Sequence, residues 1–276
     1  GFDVDFCKAV AAAVLGDVAK VEYVPLSAEA RFEALTARRI DLLSRNSTWT
    51  MSRDLELGLE FAGISYFDGQ GFLVPAIYGA TSALQLDGAN ICVASGTTSE
   101  QNATAYFEKN RLKVSFLRFS ERSAAHAAYA AGKCDVFTGD RSALAAERSL
   151  LPVPEDHVIL RDVISKEPLG PVTRKGDPQW TGLVRWTLFA LIEAEELELN
   201  SKSIGTTQSQ KAILLGAPAT RAIGLTTDWL VKVIGGVGNY GEIFNRNLGA
   251  GTPLDLSRGL NALWTQGGLL YAPPMQ

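Results

Sequence analysis

The spacing of hydrophobic and polar positions predicts alternating strands and helices from the start of the chain. Phe2 to Phe6 alternates with two aspartates, which predicts a short extended segment. The alanine-rich run after it favours a helix that ends at Gly16. Apolar runs at 21–25 and 40–43 are typical of strands, and a helix is predicted between them at 27–38, with Ser27 as its N-cap. The first fifty residues therefore predict a β-α-β unit.

A second set of elements repeats this order. After a strand at 70–75, the pattern predicts strands at 91–94, 114–119 and 135–138. Between them it predicts a helix that is opened by residues 95–100 and runs to about 110, and a second helix at 120–131. The repetition indicates two lobes of related design. Further helices are predicted in the C-terminal part of the chain, at 180–199, 226–235, 240–247 and 257–264.

Residues 44–53 hold the first candidate chemistry. They follow a predicted strand, where open α/β sheets bind ligands, and they combine hydroxyls, an amide, one aromatic ring and two guanidinium groups. This composition predicts half of a site for a small zwitterion, with Arg53 clamping a carboxylate. The alternative for Arg53 is a surface salt bridge to Asp54 or Glu56. For Trp49, a place in the core is the favoured interpretation.

Two further stretches could complete such a site. Residues 95–100 form a predicted strand-to-helix turn rich in hydroxyls, in which Thr97 with Glu100 fits a capping box and so does Thr98 with Gln101. The turn either binds an anion through its amides or simply caps a helix. Asp140 follows a predicted strand and either holds an ammonium group, which has only donors, or caps the next helix.

Composition excludes several classes of function. The 276 residues are 46% hydrophobic and 20% charged, with net charge −4, as in an ordinary globular protein of one large or two medium domains. No basic run suggests nucleic acid, and no apolar run is long enough to span a membrane. The spacing of three cysteines and two histidines fits no metal site. No nucleophile motif is present, so we predict no catalytic residue.

The sequence resembles a known family at several of these places. Residues 1–6, Gly-Phe-Asp-Val-Asp-Phe, followed by Val10, Ala11 and Val14, resemble the signature of periplasmic substrate-binding proteins for polar amino acids. The resemblance continues, in the family's order, through 48–53, 95–98 and 135–140. Residues 237–244 and 259–264 are similar to the subgroup that serves general L-amino-acid ABC transporters.

This resemblance implies the fold of a type II periplasmic binding protein. Two α/β lobes, 1–74 with 172–276 and 75–171, would be joined by a two-strand hinge and close on a ligand, with a helical extension at the C-terminal end. The implied protein has no cofactor, loses a signal peptide, is a periplasmic monomer and delivers free L-amino acids to an inner-membrane ABC permease.

The resemblance also implies roles for individual residues. Arg53 would hold the α-carboxylate with help from Thr48 and backbone near Asn46, and Asp140 would hold the α-ammonium. Thr97 and Thr98 would contact the carboxylate from lobe two. Positions where some relatives carry a lysine, a histidine or an aromatic clamp are small here, which implies broad side-chain tolerance: Ala94, Gly139 and Ala28.

Two structural expectations follow from the resemblance. Relatives have a strand before the Gly-Phe-Asp motif, and its loss would leave strand edges unpaired. We therefore expect either a trimmed fragment or a shortened variant with altered binding, and the open edge could drive pairing of copies. Cys92 and Cys134 begin strands expected to be neighbours in lobe two, so we expect a disulfide between them, with Cys7 left over.

Two other functions stay open. The chain could be a sensory or degenerate module with altered or lost ligand binding. It could also be a periplasmic dehydratase-like enzyme on the same fold, which needs a general acid in the cleft, and Asp140 is the one candidate found for that role.

Overall fold

A computed structural model describes residues 1–205 and 223–275, and the chain divides into two compact units. Unit 1 comprises Gly1–Val24, Leu35–Phe67 and Leu169–Gln276, and unit 2 comprises Pro25–Ala34 and Asp68–Pro168. The lobe boundaries at 74/75 and 171/172 stay a prediction.

Within the described residues the helices are α1 (Phe2–Leu15), α2 (Ala30–Thr36), α3 (Met51–Glu56), α4 (Thr98–Lys109), α5 (Arg122–Ala130), α6 (Arg141–Ser149), α7 (Pro178–Glu196), α8 (Trp229–Val237) and α9 (Tyr240–Asn247). The strands are β1 (Leu59–Phe61), β2 (Tyr66–Pro75), β3 (Asn90–Ala94), β4 (Ser115–Phe119), β5 (Val136–Asp140), β6 (His157–Ile159), β7 (Lys166–Leu169) and β8 (Val172–Arg174). β2 and β7, which pair with each other, each contain a point where the chain passes from one unit to the other.

Unit 2 contains a mixed sheet with helices on both faces. Its strand order is β4-β3-β5-β2-β6; β3 runs parallel to β4 and β5, and β2 runs antiparallel to β5 and β6. Successive side chains of a strand point to opposite faces. Phe72 of β2 accordingly packs with Phe107 of α4, whereas Leu73 packs with Tyr129 of α5 and Leu144 of α6.

Unit 1 is mainly helical. The helix α1 packs against α7, α8 and α9. It buries Phe6, Ala9, Val10 and Ala13, which share one helical face, and it ends at Gly16, whose φ of 71° is left-handed. The prediction of an extended segment at 2–6 is wrong. The same alternation places apolar side chains four residues apart, which a helix also brings to one face.

The strands predicted at 21–25 and 40–43 are also absent from the described structure. Residues 21–25 lie outside any strand, and of 40–43 only Leu43 pairs, in a single antiparallel bridge to Val172. The ladder of unit 1 is instead β1 with β8, where Phe61 lies opposite Val172. An apolar run becomes a strand only beside a partner strand, which a local pattern does not reveal.

Two predicted helices are shorter than expected. Ser27 accepts a hydrogen bond from the N–H of Ala30 at 3.1 Å, as predicted for a cap, but the helix spans only Ala30–Thr36. The helix predicted at 257–264 is reduced to a 3-10 turn at Gly259–Asn261.

Candidate ligand-binding site

The arginine of the first candidate segment is buried. Arg53 is 8% exposed, and its Nη1 donates to the carbonyl oxygen of Thr48 at 2.9 Å. Its own N–H donates to Oγ1 of Thr50, the N-cap of α3, at 3.3 Å. The alternative of a surface salt bridge to Asp54 or Glu56 placed Arg53 at the surface, and its burial contradicts that position. A buried guanidinium is the group that proteins use to bind a carboxylate with two parallel hydrogen bonds.

The loop before Arg53 is held from two sides. Thr48 is buried and bridges to Leu169, while the carbonyl of Ser47 accepts the N–H of Gly170 at 3.1 Å. The carboxylate of Asp3 accepts the N–H of Asn46 at 3.3 Å, and Asn46 has a left-handed φ of 32°. The backbone from Asn46 to Thr48 is therefore fixed by contacts with α1 and with the segment at Leu169.

Asp3 is a residue that sequence reasoning missed. Burial raises the pKa of its carboxyl group, against the lowering effect of the Asn46 N–H and the Ser44 hydroxyl. Burial likewise raises the pKa of the nearby Cys7 thiol to about 11, with a further contribution from the Asp3 charge. Cys7 is a free thiol, as expected from the sequence, and at neutral pH it is protonated and unreactive.

Trp49 does not lie in the core, which was the favoured interpretation of its place in the sequence. Its ring is 37% exposed and stacks on Phe61, with centroids 5.3 Å apart and planes 7° from parallel. One face of the indole is thus supported by a fully buried ring, which places Trp49 at the surface of unit 1 rather than in its core.

In unit 2 the turn into α4 forms as predicted. Gly96 has φ +68°, and a Cβ there would lie 2.9 Å from Cγ of Glu29, so this turn requires glycine. Thr97 is the N-cap of α4, and its Oγ1 accepts the N–H of Glu100 at 3.2 Å. The Glu100 carboxylate accepts the N–H of Gly96 at 3.2 Å, so the predicted capping box is shifted by one residue on that side.

Asp140 ends β5 and is 5% exposed. It occupies the N-cap position of α6 but makes no side-chain cap hydrogen bond. Asp68 supplies the cap, because its Oδ2 accepts the N–H of Ser142 at 3.1 Å. The alternative in which Asp140 caps this helix is therefore wrong. Burial raises the pKa of Asp68, while its hydrogen bonds with Ser142 act to lower it.

Two buried polar residues that the sequence did not single out lie behind the α4 turn. Gln70 of β2 donates from Nε2 to the carbonyl of Ser99 at 2.8 Å and to Oγ1 of Thr138 at 2.9 Å. Glu167 of β7 accepts the Thr98 hydroxyl at 3.0 Å. Gln70 lies next to the apolar run of β2, and a polar residue in such a segment was the available signal. Glu167 lies in the sequence Lys-Glu-Pro-Leu, which carries no such signal.

Ala28 and Ala94 are buried in unit 2, and a Cβ at Gly139 would approach Nη2 of Arg122 at 3.2 Å.

Cys92 and Cys134 are joined by a disulfide, with Cα atoms 5.7 Å apart, in the pairing expected from the sequence. In the described part of the chain, no group of three or more His, Cys, Asp or Glu side chains is arranged to hold a metal. None of the helices in 1–205 and 223–275 is long and apolar enough to cross a membrane.

Residues 1–205 match the bacterial extracellular solute-binding proteins of family 3, and the chain belongs to that family. This confirms the resemblance and the type II fold that it implied. Curated relatives match the whole chain. The General L-amino acid-binding periplasmic protein AapJ of Rhizobium johnstonii is 50% identical, with 83% of that protein covered. The glutamate/glutamine/aspartate/asparagine-binding protein BztA of Rhodobacter capsulatus is 49% identical, with 84% covered.

A solved structure is similar over the whole chain as well. It is a periplasmic binding protein from Brucella ovis with glutathione bound, 49% identical, with a TM-score of 0.96 and 89% of that protein covered. An ancestral amino-acid-binding protein described as a precursor of cyclohexadienyl dehydratase is 27% identical, with a TM-score of 0.60 over 72% of this chain and 82% of that one. The two curated relatives are named as amino-acid-binding proteins.

Proposed function

We propose that this protein is a periplasmic solute-binding protein that binds free L-amino acids with broad side-chain tolerance and delivers them to an inner-membrane ABC permease. The observation that carries the proposal is the buried guanidinium of Arg53, anchored at one nitrogen by the carbonyl of Thr48. The names of relatives 46–50% identical over the whole chain support the same ligand class.

In this proposal different residues bind the two charges of the ligand. Arg53, with Thr48 and the backbone at Asn46, holds the α-carboxylate, and N–H groups at the N-terminus of α4, at Thr97 and Thr98, assist. Asp140 holds the α-ammonium. The capping of α6 by Asp68 supports this role, because helix capping then no longer explains a buried carboxylate at the end of β5.

The experiment is calorimetric titration with a panel of L-glutamate, L-glutamine, L-leucine and L-arginine. We expect binding of several of them by the wild-type protein and loss of binding, by at least about 100-fold, in Arg53→Ala, because a charge-assisted bidentate pair is removed from a buried site. Arg161→Ala, which removes an exposed arginine of unit 2, is the matched control and should bind as the wild type does. Unchanged affinity in Arg53→Ala would contradict the proposal.

A second candidate ligand is a γ-glutamyl peptide such as glutathione. The similar Brucella ovis structure holds glutathione, whose γ-glutamyl end carries the same α-ammonium and α-carboxylate as a free amino acid. Titration with glutathione tests this candidate. If glutathione binds and Arg53→Ala abolishes that binding, the zwitterionic end is recognised by the same clamp.

The remaining alternatives are outcomes of the same panel. Absence of binding to every amino acid of the panel and to glutathione would favour a sensory or degenerate module. Turnover of a prephenate-like acid would favour a dehydratase-like enzyme. We propose a binding role rather than catalysis because the relatives that match the whole chain are named as binding proteins.

A further inference from the structure

An asparagine side chain holds the strand β2 next to the point where the chain leaves unit 1. The boundary between the units falls between Phe67 and Asp68. Oδ1 of Asn261 accepts the N–H of Phe67 at 2.7 Å, and Nδ2 donates to the carbonyl oxygen of the same residue at 3.0 Å. Asn261 is 3% exposed. Because an amide carries both a donor and an acceptor, this one side chain satisfies both backbone polar groups of Phe67, as a neighbouring strand would.

The asparagine is itself fixed within unit 1. Arg258 donates from Nε to the carbonyl oxygen of Asn261 at 2.8 Å, and its two terminal nitrogens donate to the two carboxylate oxygens of Glu195 on α7, at 2.9 and 3.0 Å. The Arg258 guanidinium also lies over the rings of Tyr240 and Phe244 of α9, 5.2 and 5.0 Å from their centroids. A bidentate ion pair and two ring contacts hold an arginine in one orientation. The turn at 258–261 is therefore anchored to two helices.

The backbone on either side of the crossing point is held as well. In unit 1, the hydroxyl of Tyr240 donates to the carbonyl oxygen of Ser65 at 2.8 Å. In unit 2, Oδ2 of Asp68 accepts the N–H of Ser142 at 3.1 Å. The chain is thus held at 65 and 67 by unit 1 and at 68 by unit 2. Along β2, a rotation of one unit against the other is therefore confined to the torsions that join Phe67 and Asp68.

Asn261, Arg258 and Glu195 have no part in the proposed ligand site, and 258–261 lies beyond the residues 1–205 that match the family. The resemblance implies two lobes that close on a ligand. In such a protein, the points at which the crossing strands are held decide how readily the closed form opens. We propose that Asn261 is a positioning residue that holds β2 on the unit 1 side of its crossing point and so sets the rate at which a bound amino acid is released. The inference rests on the proposed function and adds to it a controlling contact outside the ligand site.

The first test measures the binding of L-glutamate to the full chain by calorimetry and its release by stopped-flow. Asn261→Ala removes both hydrogen bonds to Phe67, so the closed form should open more readily. We expect dissociation about threefold to tenfold faster than in the wild type, with an association rate that changes less than about twofold. The affinity should weaken by a similar factor, about threefold to tenfold, because the closed form is less populated.

Asn239→Ala is the matched control. Asn239 is also a buried asparagine of unit 1. Its Oδ1 accepts the N–H of Glu242 at 2.9 Å, and its Nδ2 donates to the carbonyl oxygen of Leu199 at 2.8 Å. The same two kinds of hydrogen bond are therefore lost, but not to β2. Both variants should melt at a lower temperature, and only Asn261→Ala should release the ligand faster. Wild-type release in Asn261→Ala would overturn the proposal, and so would equally fast release in Asn239→Ala.

Two further measurements keep the test decisive. Asn261→Asp keeps an acceptor for the N–H of Phe67 and lacks the donor for its carbonyl, so its dissociation rate should lie between those of the wild type and Asn261→Ala. It takes the place of Asn261→Ala if that variant does not fold. Hydrogen exchange of the ligand-free protein should be about tenfold faster at residues 65–68 in Asn261→Ala than in the wild type and Asn239→Ala. Unchanged exchange there would overturn the proposal.

Failure of this inference is distinguishable from failure of the proposed function. If the wild-type protein binds amino acids and Arg53→Ala does not, the function stands whatever Asn261 does. If no amino acid of the panel binds the wild-type protein, the proposed function fails, and the role of Asn261 in release fails with it. Hydrogen exchange at 65–68 still reports separately whether Asn261 holds β2.

Discussion

Loss of the Cys92–Cys134 disulfide should destabilise unit 2 selectively. The bond closes a loop with a sequence separation of 42 residues between two buried cysteines. A disulfide that closes a loop of this length lowers the conformational entropy of the unfolded chain and so stabilises the fold by about 4 kcal/mol. With a urea dependence of about 2 kcal/mol per M, the unfolding midpoint of unit 2 should fall by about 2 M. The perturbation is the double variant Cys92→Ala/Cys134→Ala, and Cys7→Ala, which leaves the disulfide intact, is its control.

The positions of the tryptophans let one experiment report on the units separately. All five tryptophans, at 49, 180, 186, 229 and 264, belong to unit 1. Tryptophan fluorescence during urea unfolding therefore follows unit 1, whereas far-UV circular dichroism follows the helices and strands of both units. We expect the circular dichroism curve of the double variant to show an additional transition at lower urea concentration, from the unfolding of unit 2. A dichroism curve identical to that of the wild type would refute the reasoning, because the loop-closure entropy would then contribute nothing to the stability of unit 2.

Two further predictions concern stability. Burial alone raises the pKa of Asp5, but hydrogen bonds from Asn247 and Arg246 outweigh it and lower the pKa. The carboxylate therefore stabilises the fold above its unfolded value of about 4, and this contribution is lost as the pH falls through the folded value. Asp5→Asn should cost about 2 kcal/mol at pH 7 in urea unfolding, and the difference from wild type should shrink below about pH 4; a constant difference would contradict the ion pair. Asp68→Ala should cost about 1 kcal/mol through the lost cap of α6, measured by thermal unfolding, whereas Glu155→Ala, an exposed carboxylate of unit 2, should be neutral.

The sequence predicts the elements of unit 2 well because each carries its own local signal. The strand predicted at 91–94 is Asn90–Ala94, and the helix predicted to open within 95–100 and run to about 110 is Thr98–Lys109. In unit 1, the helix at 240–247 is found at those bounds, and the Asn239 capping box explains why its start is definite. The strands predicted at 21–25 and 40–43 fail because a strand depends on a neighbouring strand, which no local pattern specifies.

The candidate site was predictable in residue type but not in surroundings. The pattern around Arg53 indicates an anion clamp, yet burial of the guanidinium and its bond to the Thr48 carbonyl follow from tertiary packing. Asp140 carried two equal interpretations in the sequence. The structure removes the capping role, because Asp68, which is 72 positions away along the chain, caps α6.

The hydroxyl-rich turn at 95–100 shows what composition alone does not reveal about a site. A cluster of hydroxyls next to a helix N-terminus favours an anion site, because hydroxyls and amides are donors. That argument assumes that the hydroxyl protons are available. The Thr97 proton goes to Ala94, and the Thr98 proton goes to a glutamate far along the chain, at the end of unit 2. Thr97 and Thr98 therefore offer backbone amides rather than hydroxyl protons as donors.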